Sequence, residues 1–362
     1  MKEQKQIQFN NTLKFKTLIV PFLLGLILLS CDKNDPEINQ LGIGQVEIKA
    51  YPENTKTKYI GFYVQAKKVI IDWGDGMIEE LIPHGTYFDL FGHSYSDTLL
   101  KTVQITTENM TYFSMHEGYQ LKFGNCPDLK EIYCPASYNT RSRFKFLDIT
   151  KLESLEKLYC SDNQLEELDL SKNTMLTWLE CRQNNLKKID VSKNTALVHL
   201  DCGNNQLTNL DVSHNTALKL LSCNDNKINQ LDLTKNKKIE ELNCSNNQIS
   251  NLDLSQNTAL FGLGVWKNNL TNLNVRNNQL IKYLTCDNNR LTSLDLSENH
   301  ELVELYCSYN QLTAQELNST FEGLPIIKDP AVEGALLIVG NIGANDCNKA
   351  IATKKFWTII DK

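Results

Sequence analysis

The sequence predicts a mainly β protein: a repeat solenoid, with an N-terminal β-sandwich module before it and a small α/β C-terminal cap after it. Three observations lead to this prediction. Seven cysteines lie on a 21-residue grid. An asparagine follows every grid position after three residues. Before the grid, short segments instead alternate apolar and polar residues. A fixed period of this length indicates stacked units, because each unit can bury its apolar side only against its neighbours.

The grid defines the core of the stack. Its cysteines alternate with leucine, as in Leu179-Glu180-Cys181, so they point inward. The grid cysteines are Cys160, Cys181, Cys202, Cys223, Cys244, Cys286 and Cys307, and Val265 takes the remaining position. The asparagines are Asn163, Asn184, Asn205, Asn226, Asn247, Asn268, Asn289 and Asn310. Because a buried amide can satisfy backbone groups that a turn leaves unpaired, we expect these asparagines to form a ladder.

Length and composition exclude some classes of function. A chain of 362 residues is long enough for two or more domains. A net charge of −6 does not indicate the basic surface that nucleic-acid binding requires, so no nucleic-acid partner is expected. The grid cysteines favour free, buried thiols. A disulfide ladder and a zinc site are the alternatives, but no CxxC motif or histidine cluster accompanies the cysteines. We expect no metal and no cofactor.

The N-terminus is typical of a targeting segment. Residues 1–30 begin with lysines and continue with an apolar run that is too short to span a bilayer. The run ends in Leu28-Leu29-Ser30-Cys31, which resembles the lipobox of bacterial lipoproteins. That resemblance implies cleavage before Cys31, its diacylation, and anchoring to a membrane. A plain secretory signal is the alternative.

Residues 31–42 are expected to form a tether. Its start, Asp32-Lys33-Asn34-Asp35-Pro36-Glu37, resembles the acidic export tag of surface lipoproteins in one phylum of Gram-negative bacteria. In other Gram-negative bacteria, an aspartate directly after the cysteine favours retention in the inner membrane. The resemblance implies a lipid-anchored protein of the outer membrane that faces the cell surface.

Residues 43–109 are predicted to form the β-sandwich module. Strands are expected at the alternating segments Gln45–Ala50, Tyr59–Val64, Lys68–Trp73 and Lys101–Thr106. The motif Trp73-Gly74-Asp75-Gly76, followed by His93-Ser94-Tyr95, resembles the PKD-like family. Asp72, Asp75 and His93 raise the question of a metal or catalytic site. Turn formation by Asp75 and a hydrogen bond from His93 near that turn are the preferred interpretation.

Residues 110–312 are predicted to form the solenoid. Its unit, LxxLxCxxNxL followed by xxLDLSxNTx, resembles bacterial leucine-rich repeats, and its 10 + 11 nesting resembles the IRREKO class. This implies extended structure on both faces of the coil. Leu121–Asn125 and Leu129–Cys134 also fit the template, and Phe113-Ser114-Met115 lies where a shortened first unit would begin. Together with the N-terminus, the repeats resemble bacterial leucine-rich-repeat surface lipoproteins.

The residues that flank each Leu-x-Cys core point outward and form the candidate binding face. Aromatic residues concentrate near its two ends and polar residues fill the middle. Rigid aromatic side chains are typical binding anchors, although they also suit any strand surface. The candidate residues are Tyr133, Tyr159, Trp178, Glu180, Arg182, His199, Asp201, Trp266, Tyr283 and Tyr306.

The second half of the unit carries an acidic column. It consists of Asp169, Asp190, Asp211, Asp232, Asp253 and Asp295, with Asn274 in the remaining position. Calcium binding is one interpretation; bonds to local backbone N–H and hydroxyl groups are the preferred one.

Residues 313–362 depart from the period and are predicted to cap the stack. We expect a helix over Thr313–Phe321 with Thr313 as its N-cap, a strand at Ala335–Gly340, a helix from Asn345 to Lys354 and a strand at Trp357–Ile360.

The preferred hypothesis for function is a monomeric, non-enzymatic envelope protein that binds a protein or glycan ligand, in adhesion or host contact. The alternative is a structural or accessory component without its own ligand. A carbohydrate-processing enzyme is less favoured, because the sequence shows no catalytic motif.

Overall fold

The computed structural model describes most of the chain after the predicted tether. The described residues are 43–50, 59–82, 89–116, 118–124, 126, 129–136, 143–328 and 334–360. The predicted signal peptide, Cys31 and the tether lie outside them. Within the described residues no helix is both long and apolar enough to cross a membrane.

The described chain contains twenty strands and two helices. The first ten strands are β1 (Ile43–Ala50), β2 (Tyr59–Gln65), β3 (Lys68–Asp72), β4 (Ile78–Leu81), β5 (Asp89–Ser94), β6 (Lys101–Glu108), β7 (Tyr112–Ser114), β8 (Gln120–Phe123), β9 (Glu131–Tyr133) and β10 (Phe146–Asp148). The repeat strands are β11 (Lys157–Tyr159), β12 (Trp178–Glu180), β13 (His199–Asp201), β14 (Leu220–Ser222), β15 (Glu241–Asn243), β16 (Gly262–Gly264), β17 (Tyr283–Thr285) and β18 (Glu304–Tyr306). Helix α1 (Ala314–Gly323), β19 (Gly334–Leu337), α2 (Ala350–Thr353) and β20 (Trp357–Ile360) follow.

A 14-stranded sheet runs the length of the molecule in the order β20-β19-β18-β17-β16-β15-β14-β13-β12-β11-β9-β7-β2-β5. From β7 to β20 the neighbouring strands are parallel, and in the repeats each residue lies opposite its counterpart one unit away. β2 joins antiparallel to β7, so the sheet continues from the N-terminal strands into the repeats. One apolar core also runs from Val46 to Trp357.

A second, six-stranded sheet has the order β10-β8-β1-β6-β3-β4. It contains β8, which the repeat template places in the second half of an early unit; β8 pairs parallel with β10 and antiparallel with β1. The two sheets pack against each other in the core. Phe62 of β2, in the 14-stranded sheet, and Trp73, which follows β3 of the six-stranded sheet, have ring centroids 5.7 Å apart. Strands β4 and β5 were not predicted, since their residues are largely exposed and lack clear alternation.

Each repeat turns sharply after its cysteine, and the asparagine ladder holds that turn. The second residue after the cysteine position has φ between 51° and 62° in all eight grid units, as in Asn204. The next residue, Asn205, donates from Nδ2 to the carbonyls of Cys181 and Cys202, each at 3.1 Å. Its Oδ1 accepts from the Leu186 amide at 3.0 Å. The predicted ladder is therefore present, and it joins each unit to the one before it.

The cysteine positions are buried as predicted. All seven grid cysteines and Val265 have zero exposure. Desolvation raises the pKa of the Cys244 thiol to about 12, so the thiolate that nucleophilic or metal chemistry requires is disfavoured. The column fills the core as a small apolar side chain does.

The second half of the unit differs from the prediction of extended structure on both faces. It forms a strand only in the first two turns, as β8 and β10, which pair with each other next to β1. In later turns this half has bends and turns separated by residues outside any strand, so no β-ladder joins its units. Buried asparagines still connect them: Asn194 donates to the carbonyls of Leu170 (3.1 Å) and Asn173 (2.8 Å).

The C-terminal segment continues the repeat before it ends. Thr313 caps α1 by accepting the Glu316 amide, as predicted. The predicted helix Asn345–Lys354 is shortened to α2, and the residues before it form one more asparagine turn. There Asn341 donates to the carbonyls of Cys307 and Ile338 at 2.9 and 2.8 Å.

Candidate functional site

The strand face is built from three outward columns. The first column holds Glu131, Lys157, Trp178, His199, Leu220, Glu241, Gly262, Tyr283 and Glu304. The second holds Tyr133, Tyr159, Glu180, Asp201, Ser222, Asn243, Gly264, Thr285 and Tyr306. The third, directly after the cysteine position, holds Ser161, Arg182, Gly203, Asn224, Ser245, Trp266, Asp287 and Ser308. Most side chains of the first two columns are half-buried, because their in-register neighbours cover them.

An aromatic ladder occupies the N-terminal part of this face. It consists of His116, Tyr133, Tyr159, Trp178 and His199. Successive ring centroids lie 5.6, 5.4, 6.4 and 3.9 Å apart. The last pair, Trp178 and His199, is stacked at an interplanar angle of 6°. Four of these five residues were predicted; His116 was missed because it lies in the irregular first unit.

Polar contacts fix the ladder in place. The Trp178 indole donates to Glu180 Oε1 at 2.9 Å. His116 Nδ1 lies 3.2 Å from the carbonyl oxygen of Pro135. Burial lowers the pKa of His199 to about 4, so its imidazole is neutral at pH 7 and stacks without charge. The rings are therefore pre-positioned, with little conformational freedom to lose on binding.

The predicted residues at the other end form a separate group. Trp266, Tyr283 and Tyr306 lie in three different columns, and no ring contact joins them within the described structure. Lys267 Nζ lies 6.0 Å from the Trp266 ring centroid. Five strand spacings, roughly 24 Å, separate Trp178 on β12 from Tyr283 on β17. The ten candidate residues thus divide into two groups on one face.

Carboxylates lie among the aromatic residues. Glu180 and Asp201 are opposite each other on β12 and β13. Asp201 accepts from the Gly203 amide at 3.0 Å, and Arg182 donates to Gln183 Oε1 at 3.0 Å. Burial, with a contribution from Asp201, raises the pKa of Glu180. Burial also raises the pKa of Asp201.

Two further carboxylates lie beyond the ladder. Burial, assisted by Glu240, raises the pKa of Glu241 to about 7. Burial raises the pKa of Asp287 to about 6, against the opposing hydrogen bond from the Ser308 amide. The sequence placed both residues in outward columns, but the degree of their desolvation depends on the neighbouring units.

The raised pKa of Glu241 predicts a pH-dependent stability effect. In the folded state this carboxyl binds its proton more readily than in the unfolded chain, so its ionisation destabilises the fold as pH rises from about 4.5 towards about 7. We expect Glu241→Gln to raise the free energy of unfolding by about 1 kcal/mol at pH 8, a value reduced for the partial exposure of this group, and to have little effect at pH 4. Urea denaturation at pH 4, 6 and 8 measures this.

The matched control is Glu167→Gln, which alters an exposed carboxylate away from the strand face. We expect it to change stability by less than about 0.5 kcal/mol at each pH. Equal effects of the two substitutions at pH 8 would contradict the prediction.

Other carboxylates considered from the sequence have structural partners. Asp75 Oδ2 lies 2.8 Å from His93 Nε2, and its Oδ1 accepts the Met77 amide at the β3–β4 turn. In the acidic column, Asp190 accepts a hydrogen bond from the Ser192 amide at 2.9 Å. This bond and a side-chain bond from Ser192 lower the pKa of Asp190. The same bond recurs at Asp169, Asp211, Asp232, Asp253 and Asp295. This is the predicted local role, and the described residues contain no group of three or more His, Cys, Asp or Glu arranged to hold a metal ion.

A groove of about 750 Å³ lies where the six-stranded sheet ends at β10. Its lining includes Leu121, Leu147 and Leu168 together with Asp148 and Asp169. None of the predicted binding residues lines it, so it is separate from the strand face.

Comparison with solved structures identifies the class of fold. No protein-family model matches the sequence, and no curated protein matches it. Among solved structures, the chain is similar to the functional domain of InlJ from Listeria monocytogenes, which includes a cysteine ladder: TM-score 0.55, 31% identity, 66% of this chain and 51% of that chain. It is also similar to an internalin, InlF, from the same organism: TM-score 0.57, 20% identity, 65% of this chain and 67% of that chain.

The match to InlJ spans about half of that chain. These likenesses confirm the predicted mainly β, leucine-rich-repeat-like solenoid with little helix. Folds of this internalin-like kind are typically protein-interaction or adhesion modules.

Proposed function

We propose that this chain is a non-enzymatic binding protein of the cell envelope that holds a protein partner on its strand face, in adhesion or host contact. The observation that carries the proposal is the aromatic ladder on β9 and β11–β13, together with His116. Its rings contact one another, Trp178 and His199 are stacked, and the Trp178–Glu180 hydrogen bond holds the indole. Pre-positioned Trp and Tyr side chains are the residues that most often dominate binding energy at protein interfaces.

A glycan is the second candidate ligand. Tyr and Trp rings beside carboxylates and amides also suit sugar recognition, but a protein partner is preferred because internalin-like folds are typically protein-interaction or adhesion modules. A structural or accessory role without a ligand, and a carbohydrate-processing activity, are the less favoured alternatives.

We also propose the placement of the chain in the cell. Residues 1–30 act as a lipoprotein signal, and diacylated Cys31 anchors a monomer to the outer membrane, facing the cell surface. Residues 32–42 form the tether, and a PKD-like β-sandwich over 43–109 orients IRREKO-type repeats over 110–312, which residues 313–362 cap. The lipobox-like Leu28-Leu29-Ser30-Cys31 and the acidic residues after it support the anchoring.

The test uses the whole chain after Cys31, residues 32–362, against arrays of purified secreted proteins, cell-surface ectodomains and glycans. For a partner found there, we expect Trp178→Ala to weaken binding at least tenfold, because it removes the largest ring of the ladder. We expect only a small loss in melting temperature, since Trp178 is half-buried and its neighbours remain. Surface plasmon resonance and thermal unfolding measure the two effects.

The control is Met175→Ala, which truncates an exposed apolar side chain in a turn away from the strand columns. Its affinity should match that of the parent. Partner binding that survives Trp178→Ala and Tyr159→Ala, with both variants folded, would exclude the ladder as the binding site.

A further inference from the structure

The strand face carries an excess of negative charge. Its three columns contain six carboxylates, namely Glu131, Glu180, Asp201, Glu241, Asp287 and Glu304, and two basic side chains, Lys157 and Arg182. His199 is neutral at pH 7 because burial lowers its pKa to about 4. The formal net charge of this face, with every carboxylate counted as ionised, is therefore −4.

The basic side chains on the face compensate this charge only in part. Lys157 pairs with Glu131 at 3.3 Å. Arg182 donates to Gln183, and its charge acts against the burial that raises the pKa of Glu180 and of Asp201, without an ion pair within 4 Å. In the part of the chain that the structure describes, the other five carboxylates have no Lys or Arg nitrogen within 4 Å. They are Glu180, Asp201, Glu241, Asp287 and Glu304.

Carboxylates just beside the face do have such partners. Glu156, which precedes the column residue Lys157, pairs with Lys130 at 3.1 Å. Glu240, which precedes the column residue Glu241, pairs with Lys219 at 2.7 Å. Lys130 and Lys219 are therefore engaged by carboxylates beside the face and not by its column carboxylates.

The aromatic ladder adds the chemistry that an arginine side chain needs. The guanidinium group of arginine stacks on aromatic rings and donates two parallel hydrogen bonds to a carboxylate. The alkyl part of the side chain packs on apolar surface. Glu180 lies between Tyr159 and Asp201 in the second column, and the Trp178 indole fixes its carboxylate. Rings and carboxylates thus occur side by side on the same strands.

We propose that the protein partner docks a segment bearing arginine side chains on this face, with one arginine at Glu180 and Asp201 beside the ladder and others toward Glu241, Asp287 and Glu304. The inference rests on the proposed function and names the chemistry of the partner. Desolvation raises the pKa of four of these carboxylates, and an arriving cation stabilises their ionised forms. Such complementarity contributes to specificity and to the rate of association.

The experiment titrates fluorescein-labelled peptides into residues 32–362 at pH 7.5 and low salt, and reads fluorescence anisotropy. The probes are four Arg-Gly-Ser repeats, four Lys-Gly-Ser repeats and four Glu-Gly-Ser repeats. The face variant carries Glu180→Gln, Glu241→Gln and Glu304→Gln. The matched control carries Glu166→Gln, Glu167→Gln and Glu301→Gln, which remove the same charge at exposed positions off the strand face.

We expect the arginine peptide to bind the parent most tightly, the face variant to bind it at least tenfold more weakly, and the control to stay within twofold of the parent. Equal losses in the two variants would show attraction to the whole chain and overturn the proposal. Lysine binding equal to arginine binding, or no arginine binding, would also overturn it.

The two proposals fail in different ways. A partner from the arrays that loses affinity with Trp178→Ala but not with the face variant overturns the arginine inference and leaves the proposed function standing. Arginine-peptide binding that Trp178→Ala does not weaken counts against the ladder as its site, and overturns the placement beside Glu180. Thermal unfolding of each variant establishes that it is folded before affinities are compared.

Discussion

Replacing Asn205 with alanine is expected to lower the free energy of unfolding by roughly 3–5 kcal/mol. The Asn205 amide donates to the carbonyls of Cys181, Cys202 and Gly203, each at 3.1 Å. Its oxygen accepts the Leu186 amide. Alanine leaves four backbone groups in the core without this partner, and it does so at a junction between units, where a repeat protein derives its cooperativity.

Urea denaturation measures the loss, and hydrogen exchange of the amides in β12–β14 locates it. Asn209→Ala is the control, because Asn209 is exposed in the same unit and lies outside the ladder. It should change stability by less than about 0.5 kcal/mol. A loss at Asn205 no larger than that at Asn209 would mean that the turn holds its shape without the amide.

The second large effect is expected from Cys223→Asp, with a loss of at least about 4 kcal/mol. The Cys223 side chain has zero exposure and lies between the cysteines of neighbouring units. A carboxyl there has no cation to pair with, so its pKa rises and its ionisation opposes folding. The loss should therefore be larger at pH 8 than at pH 5, which denaturation at both pH values measures.

Cys223→Val is the matched control. Valine already occupies the equivalent position at Val265, with zero exposure, so the column accepts it. We expect a change of less than about 1.5 kcal/mol. If valine were as damaging as aspartate, the thiol would have a specific role beyond filling space.

Only part of the candidate site could be predicted from the sequence. The outward columns follow from the repeat register, which is why Tyr133, Tyr159 and Trp178 were predicted to lie on one face. That their rings contact one another, and that His199 stacks on Trp178 at 3.9 Å, depends on side-chain packing between units. His116 was missed because the first unit departs from the period, although its offset from Phe113-Ser114-Met115 would have placed it in the third column. The carboxylates Glu241 and Asp287 were in the columns, but only burial distinguishes them from exposed ones.

The sequence by itself determined the stack of units, its buried cysteine column and its asparagine turns, because the 21-residue period forces identical contacts between successive units. It also determined the capping role of Thr313, since a short polar side chain before a helix bonds locally. The tertiary structure decided which extended segments become strands. Leu147 and Leu168 occupy equivalent repeat positions, yet Leu147 lies in β10 and Leu168 in no strand. A strand requires a hydrogen-bonding neighbour, and the six-stranded sheet that grows from β1 supplies one only as far as β10.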